Sequence, residues 1–217
     1  MMEHRNISIA DQVFDKLERE ILSGKYPRGE VLSEQRLSSE LGVSRTPVRE
    51  AIRRLQQEDI LEDSPRGAIV VGISREQMMD MYEIRLQLEG LAARRAAENV
   101  TDEQLREMRE TLDLQQFYCE RARSDSSDQI KNLDSRFHEL LYASCGSKAY
   151  YDVLFRLHKK ITKFRMASVR KRSRAEESIR EHEAIYAALA AHDQARAEEA
   201  VLQHTRKACA SMAEMEL

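Results

Sequence analysis

Apolar residues recur at helical spacing in two short stretches near the N-terminus, and a glycine separates the stretches. In the first, Leu37 and Leu41 lie four residues apart and therefore share one face of a helix. The second has four such positions, which are Val48, Ala51, Ile52 and Leu55. Gly42 lies between them, where a residue that tolerates positive φ can end a helix. The pattern predicts two short helices joined by a tight turn, a helix-turn-helix.

The second predicted helix carries polar residues opposite its apolar positions. Ser33 and Ser44 precede the two helices and are predicted to cap them. Arg45, Thr46 and Arg49 lie near the N-terminal end of the second helix. A helix N-terminus, guanidinium groups and a hydroxyl can together meet phosphates and base edges. Because the second helix of a helix-turn-helix enters the major groove, the pattern favours a protein that binds a DNA site.

A small β-hairpin is predicted after these helices. Residues 60–62 and 68–71 read as short strands, and the Pro and Gly of residues 63–67 mark a turn between them. Arg66 would lie near the tip of this wing. There an arginine can reach a phosphate or the minor groove.

From Ser74 onward, polar caps divide the chain into six predicted helices. The predicted openings are at Ser74 with Gln77, Thr101 with Gln104, Ser126 or Ser127, about residue 148, Ser173 with Glu176, and Asp193. Apolar positions on the first of these helices, Met78, Met81, Ile84, Leu88 and Leu91, predict an inward-facing stripe. The fold class is therefore mostly α: a winged helix-turn-helix with a small β-hairpin wing, then an antiparallel six-helix bundle.

Composition agrees with a helical protein. The chain is 41% hydrophobic and 6% aromatic, with 7 Gly and 3 Pro, which disfavours both disorder and an all-β fold. We expect no membrane span, because no apolar run is long enough, and no secretion signal. The three cysteines, Cys119, Cys145 and Cys209, are widely spaced and fit neither a disulfide framework nor a zinc motif. A cytoplasmic location is the expectation.

The net charge of −3 argues mildly against nucleic-acid binding. The distribution of charge along the chain nevertheless favours DNA binding, because residues 44–54 hold four arginines (45, 49, 53 and 54) and one acidic residue, Glu50. A local basic edge is sufficient when two copies of a chain bind together. Such binding should weaken steeply with salt.

One set of residues in the predicted bundle suits a metal. Asp134 and His138 lie four apart on one predicted helix, and His182 and His204 lie on two others. Three imidazoles and a carboxylate suit zinc, nickel, iron or manganese, with zinc placed first. The alternative is that each histidine is satisfied by an ordinary hydrogen bond in the core.

The N-terminal part resembles the winged helix-turn-helix of the GntR family of bacterial transcription regulators. The resemblance covers residues 8–72 and rests on LSEQRLSSELGVSRTPVREAIRRL and the wing SPRGAIVV. It implies DNA contacts by the positions of Arg45, Thr46, Arg49, Arg66 and Gly67, with Ser33 and Gln35 as further candidates. Gln35 stands where relatives often carry Arg or another polar residue, so one base contact is expected to differ. Asp59 replaces a usual Gly and tolerates the left-handed conformation.

Residues 74–217 resemble the FCD effector domain of the FadR branch of that family, in its six-helix, VanR-type form. This resemblance implies that Asp134, His138, His182 and His204 bind a metal. Arg85 matches an arginine often found in the domain and would pair with a bound ligand. The alternative is a salt bridge from Arg85 to Glu89, one turn further on. Arg165, Arg172 and Ser178 are weaker polar candidates.

Two functions remain open from the sequence. The first is a transcriptional regulator, and more specifically a repressor, that acts as a homodimer on a palindromic operator and responds to a small carboxylate bound at the metal. The second is a metal-dependent hydrolase or lyase built on a helical bundle. Glu139 and Glu181 adjoin the metal positions but are expected to point elsewhere on their helices. The arginine-rich helix favours the regulator, and no catalytic residue is assigned.

Overall fold

A computed structural model of the protein describes residues 8–72, 74–121, 127–166 and 172–213, with backbone alone at 127, 163–166, 172 and 173. The described part is mostly helical, as predicted. The helices are α1 (Ile9–Leu22), α2 (Glu34–Leu41), α3 (Arg45–Gln57), α4 (Arg75–Asn99), α5 (Asp102–Glu120), α6 (Ser127–Ser144), α7 (Lys148–Met166), α8 (Arg172–Ala190) and α9 (Gln194–Ala213). The strands are β1 (Val31–Leu32), β2 (Leu61–Ser64) and β3 (Gly67–Val70).

These elements divide into two compact units, the first ending at Ser74 and the second beginning at Arg75. In the first unit, α2 and α3 form the predicted helix-turn-helix, and α1 packs against α3. Leu17, Leu37 and Leu55 are fully buried and join the three helices in one core. Hydrophobic burial at these positions therefore fixes which side of α3 remains available to solvent.

The turn between α2 and α3 follows the sequence prediction closely. Ser33 accepts a hydrogen bond from the backbone N–H of Arg36 and so caps α2. Gly42 adopts φ 66°, the left-handed conformation that ends the helix. Ser44 occupies the N-cap position of α3 with extended backbone, but its side chain makes no capping hydrogen bond. The predicted side-chain cap of α3 is therefore wrong, because Ser44 has only the backbone conformation of an N-cap residue.

The wing belongs to a three-stranded antiparallel sheet with the order β1-β3-β2. Strands β2 and β3 form the predicted hairpin, in which Ser64 pairs with Gly67 across the two-residue turn of Pro65 and Arg66. Strand β1 was not predicted, because a strand of two residues is too short to show alternation of polar and apolar positions. Gly67 has φ 143°, and a Cβ atom there would lie 2.4 Å from the backbone oxygen of Leu32 in β1. Only glycine fits this approach of strands.

In the second unit, the described residues form the six helices α4–α9. Thr101 and Gln104 make the predicted capping box of α5, and Asp193 caps α9 by accepting from the N–H of Arg196. Ser127 is the first described residue of α6, and Ser126 lies outside the described residues. Ser173 does not open α8, because that helix already includes Arg172. Residues 167–171, predicted to end the fourth bundle helix, also lie outside the described part.

The apolar stripe predicted on α4 is wrong at two positions. Ile84 and Leu91 are about half exposed, whereas Met78 is buried. The buried face of α4 is formed largely by small residues, including Ala92, Ala93, Ala96 and Ala97. Gly90 lies directly against Leu202 of α9, where a Cβ atom would come within 3.2 Å of the leucine side chain, so the two helices pack closely there while Ile84 and Leu91 face outward. Among the helices of the described ranges, none has both the length and the apolar character needed to span a membrane.

Candidate functional site

The exposed side of α3 carries the residues predicted to meet DNA. Arg45, Thr46 and Arg49 are all exposed, while Val48 and Ala51 on the opposite side are buried. This arrangement follows from the apolar spacing of the helix, since burial of one face orients the other toward solvent. The geometry is suited to a helix that inserts into a groove.

Arg49 forms a two-point ion pair with Glu34, the first residue of α2. Its Nε donates to Oε1 and its Nη2 donates to Oε2 of Glu34, both at 2.7 Å. The hydrogen bond from Arg49 lowers the pKa of the Glu34 carboxyl group and outweighs the opposing effect of burial. The pair was not foreseen from the sequence, because it joins residues fifteen positions apart.

Arg54 does not belong to this basic edge, although the sequence count included it. Its Nη1 donates to Oδ1 of Asp11 in α1 at 2.7 Å, and its guanidinium lies 4.0 Å from the centre of the Phe14 ring. Arg54 therefore ties α3 to α1 on the side away from Arg45 and Arg49. Arg53 is exposed.

The remaining DNA-binding candidates lie at the start of α2 and on the wing. Gln35, Arg66 and Gly67 are exposed, so each is accessible to a partner. Ser33 is half-buried and its hydroxyl is engaged in capping α2. Gly67 has the structural role described above, since a side chain there would collide with β1.

In the second unit, three of the four predicted metal ligands come together. His138 in α6, His182 in α8 and His204 in α9 are buried, and one nitrogen from each lies within 4.8 Å of the others. The ring of His182 stacks on Phe137, with ring centres 4.3 Å apart. Asp134 lies beside this group: its Oδ1 is 3.8 Å from Nε2 of His182 and accepts a hydrogen bond from Ser178.

The histidine group has the properties of a cation site. Among the described residues, neither ring nitrogen of His182 has a hydrogen-bond partner, although both are buried. Burying an unpaired polar atom is unfavourable, and a metal ion would satisfy a nitrogen lone pair. Burial and the neighbouring histidines lower the pKa of His182 to about 3 and hold the pKa of His138 well below its usual value. Neutral imidazole is the form that binds metals. The residues present therefore fit a transition metal.

A buried polar network supports His138 from the side of α4. Tyr142 lies 3.3 Å from Nδ1 of His138 and donates its hydroxyl hydrogen to Glu89. Glu89 also accepts from Thr205 and from Arg85, whose Nη2 lies 2.8 Å from Oε1 of Glu89. Of the two interpretations of Arg85, the salt bridge to Glu89 is therefore the one present. Arg85 and Glu89 are both almost fully buried.

Glu181 corrects the expectation that it points away from the metal positions. Its Oε2 lies 2.7 Å from Nδ1 of His204, and both its oxygens accept from Arg174 at 2.9 Å. Burial alone would raise the pKa of Glu181, but the hydrogen bonds from His204 and Arg174 outweigh it and lower the pKa to about 2. Glu181 is therefore a carboxylate, and it holds the proton of His204 on Nδ1.

Other polar residues of the second unit are placed as follows. His158 in α7 is buried, with its ring centre 4.3 Å from that of His138. His192 is exposed, and its Nδ1 lies 2.8 Å from the backbone oxygen of Ala97. Ser178 contacts Asp134. The side chains of Arg165 and Arg172 lie outside the described residues.

Comparison with protein families gives two matches. Residues 9–71 match the family described as bacterial regulatory proteins, gntR family, and residues 80–207 match the FCD domain. Together these matches span both structural units.

Individual proteins agree with the family matches. The chain is 31% identical over 200 residues to the HTH-type transcriptional repressor RspR of Escherichia coli, covering 92% of this chain and 86% of that protein. It is 30% identical over 129 residues to the gluconate operon transcriptional repressor of Bacillus licheniformis, covering 59% of this chain and 52% of that protein. The solved structure of E. coli McbR/YncC superposes with a TM-score of 0.72 at 25% identity, covering 96% and 98% of the two chains.

Proposed function

Because the chain belongs to the GntR family of bacterial regulatory proteins and carries an FCD domain, we propose that it is a transcriptional repressor controlled by a small metabolite. Its relatives and structural neighbours are transcriptional regulators rather than enzymes. RspR and the gluconate operon protein are named as repressors, which supports the direction of regulation. Because a bacterial repressor binds chromosomal DNA, the proposed function also supports the expected cytoplasmic location.

In this proposal residues 8–72 bind DNA and residues 74–217 bind the effector. The observation that carries the DNA-binding role is the exposure of Arg45, Thr46 and Arg49 along one side of α3. The wing residues Arg66 and Gly67 add contacts beside that helix. Ser33 and Gln35 complete the interface at the start of α2. Guanidinium groups supply both phosphate attraction and base recognition.

We further propose that His138, His182, His204 and Asp134 hold one divalent transition metal. The support is the close approach of the three imidazoles and the two unpartnered nitrogens of His182. Asp134 needs only a small movement of its side chain to join them, since its Oδ1 already lies 3.8 Å from His182. Zinc is the first candidate, with nickel, iron and manganese as alternatives that the same ligands accept.

The effector proposed for this centre is a small carboxylate. Four protein ligands leave positions on an octahedral ion, and carboxylate oxygens are suitable ligands for them. Arg85 is the predicted partner of the effector's second polar group, and it would have to contact that group while paired with Glu89. The effector can change DNA binding only by binding one arrangement of the protein more tightly than another.

The assembly proposed is a homodimer on a palindromic operator. Family membership supports this, because two-fold protein symmetry matches two half-sites on DNA. Each α3 would read one half-site. Two copies also double the number of arginines that meet the duplex, and these local contacts, rather than the net charge of −3 per chain, determine the attraction to phosphates.

One experiment tests these proposals together. DNA sequences would be selected from a random pool, and affinity for the selected duplex would be measured by fluorescence anisotropy. The protein would be used as purified, after chelation, and after reloading with zinc, each with and without a panel of small hydroxy and keto acids. We expect a palindromic site and weaker binding when an acid is added to the metal-loaded protein only. A protein that prefers no sequence would contradict the DNA-binding role, and an acid effect that survives chelation would contradict the metal-dependent one.

A further inference from the structure

An acidic residue lies in the middle of the surface that we assign to DNA. Glu34 contacts Arg49 directly, and the charge of Arg45 also acts on its carboxylate. A negative charge at this place opposes the approach of phosphates, so its presence needs a specific reason. The reason lies in which N–H groups of Arg49 bind Glu34 and which remain available for another partner.

The guanidinium group of Arg49 has two usable edges. Glu34 occupies the edge formed by Nε and Nη2, with one hydrogen bond from each nitrogen. Within the described residues, Nη1 has no protein partner, and Nη2 has a second N–H. The edge formed by Nη1 and Nη2 therefore stays available, and the side chain is well exposed. With that edge an arginine can make two hydrogen bonds to O6 and N7 of guanine.

We propose that Glu34 is a positioning residue for DNA recognition, which fixes the guanidinium plane of Arg49 so that its free edge reads a guanine in the major groove. This inference rests on the proposed function. Glu34 is suited to the role because its backbone is held in place. It directly follows Ser33, which caps α2, and it lies one turn before Leu37, which is fully buried. An unsupported arginine has many rotamers and can equally contact a phosphate, which carries no sequence information.

The competing interpretation is that Glu34 only blocks Arg49 until DNA displaces it. The two interpretations predict opposite results when the carboxylate is removed. If Glu34 positions Arg49, its loss removes discrimination between sequences, while binding to unrelated DNA improves because a repulsive charge has gone. If Glu34 only blocks Arg49, its loss strengthens binding to the operator at least as much as to unrelated DNA.

The test compares Glu34→Gln with a matched control, Glu50→Gln. Glu50 is exposed on α3 beside Arg49, whose ion pair is with Glu34, so this variant removes the same charge without touching the Arg49 pair. Affinities for the selected operator and for a scrambled duplex of equal length are measured at one salt concentration. We expect the ratio of the two affinities to fall about tenfold in Glu34→Gln, which is the discrimination expected of one base contact. The ratio should be unchanged in Glu50→Gln.

A second variant separates geometry from charge. Glu34→Asp keeps the charge but shortens the side chain by one methylene, so we expect its operator ratio to fall as well. An unchanged or increased ratio in both Glu34 variants, with folding verified by thermal melting, would overturn the inference while leaving the proposed function intact. Equal binding of both duplexes by the unmodified protein would instead contradict the proposed function.

Discussion

Glu181 accepts a hydrogen bond from Nδ1 of His204 at 2.7 Å, and this contact links consecutive helices of the second unit. The residue after it, His182, belongs to the histidine group itself. In the proposed metal centre these two adjacent residues would have different roles: His182 would bind the metal through its own nitrogen, and Glu181 would set the proton position on the neighbouring ligand His204. With its Nδ1 proton bound to Glu181, His204 presents Nε2 as the lone pair for a metal.

Removal of the Glu181 carboxylate should weaken metal binding without abolishing it. We expect Glu181→Ala to lower zinc affinity by about ten- to hundredfold, the usual effect of losing a hydrogen-bond partner of a metal-bound histidine. Competition with a chromophoric chelator measures the affinity directly. Glu177→Ala is the matched control, because Glu177 lies one turn earlier on α8 and pairs more loosely with the same Arg174. Equal affinities in the two variants would contradict the role of Glu181.

The histidine group itself can be tested by metal content. His182→Gln keeps a side chain of similar length but offers no imidazole, so we expect the purified protein to lose its bound metal. Elemental analysis by mass spectrometry gives the number of ions per chain. His192→Asn is a suitable control, because His192 is exposed and adopts φ 52°, a conformation that asparagine tolerates. Full metal content in His182→Gln would reject the proposed ligand set.

Local spacing was sufficient to predict the helix-turn-helix, whereas the convergence of the three imidazoles was implied by the family resemblance. The positions of Leu37, Gly42 and Val48 determine α2, its end and the buried side of α3, and each depends only on near neighbours. Contacts between distant residues were not predictable. The Glu34–Arg49 pair depends on the angle between two helices, which no single-helix pattern contains.

The errors in the second unit have the same origin. Ile84 and Leu91 fit an inward stripe by spacing, but small residues of α4 form much of its buried face instead. Glu181 lies about 100° around α8 from His182, which suggested that it points elsewhere. Because the histidine group is surrounded by several helices, two directions on α8 both lead to it. Helix periodicity predicts the direction in which a side chain points, but the packing of neighbouring helices determines which residues it contacts.

The buried Arg85–Glu89 pair should be essential to the stability of the second unit. In Glu89→Leu the guanidinium of Arg85 remains buried without its partner, so we expect the free energy of unfolding to fall by about 3–5 kcal/mol. Urea titration monitored by circular dichroism measures this change. Arg85→Met combined with Glu89→Leu removes both charges and should recover much of the loss. A double variant as unstable as Glu89→Leu would show that packing, rather than charge pairing, is responsible.

The same pair gives the stability a pH dependence of known sign. Burial alone would raise the pKa of Glu89, but the charge of Arg85 and the hydrogen bonds from Thr205 and Tyr142 lower it below its unfolded value. A group with a lowered folded pKa binds fewer protons when folded, so its stabilisation is present above the unfolded pKa, about 4.3. It is lost as pH falls through the folded value. Acid titration should therefore destabilise the unmodified protein more steeply than the Arg85→Met, Glu89→Leu variant.

The glycine at the wing tip can be tested through folding. Gly67→Ala forces a side chain into φ 143° and against the backbone oxygen of Leu32, so we expect a loss of about 1–3 kcal/mol in the first unit. Thermal melting of the full chain measures it. Gly24→Ala is the matched control, since Gly24 has φ 80° with no atom within 4 Å of the added carbon. The larger loss of stability expected in Gly67→Ala than in Gly24→Ala measures the added effect of the collision with β1. Equal losses in the two variants would show that the collision does not destabilise the protein.

Arg49 should contribute to operator binding through both charge and base contact. We expect Arg49→Ala to weaken operator binding by more than tenfold and to reduce the slope of log affinity against log salt by about one. Arg54→Gln removes the same charge from α3 on the side that faces Asp11 and Phe14, so it serves as the control. We expect that variant to keep the salt dependence of the unmodified protein, with any loss appearing in thermal stability instead. Anisotropy titrations at several salt concentrations measure both quantities. Unchanged operator affinity in Arg49→Ala would remove this arginine from the interface, because an exposed guanidinium that contacts a duplex cannot be deleted without weakening the complex.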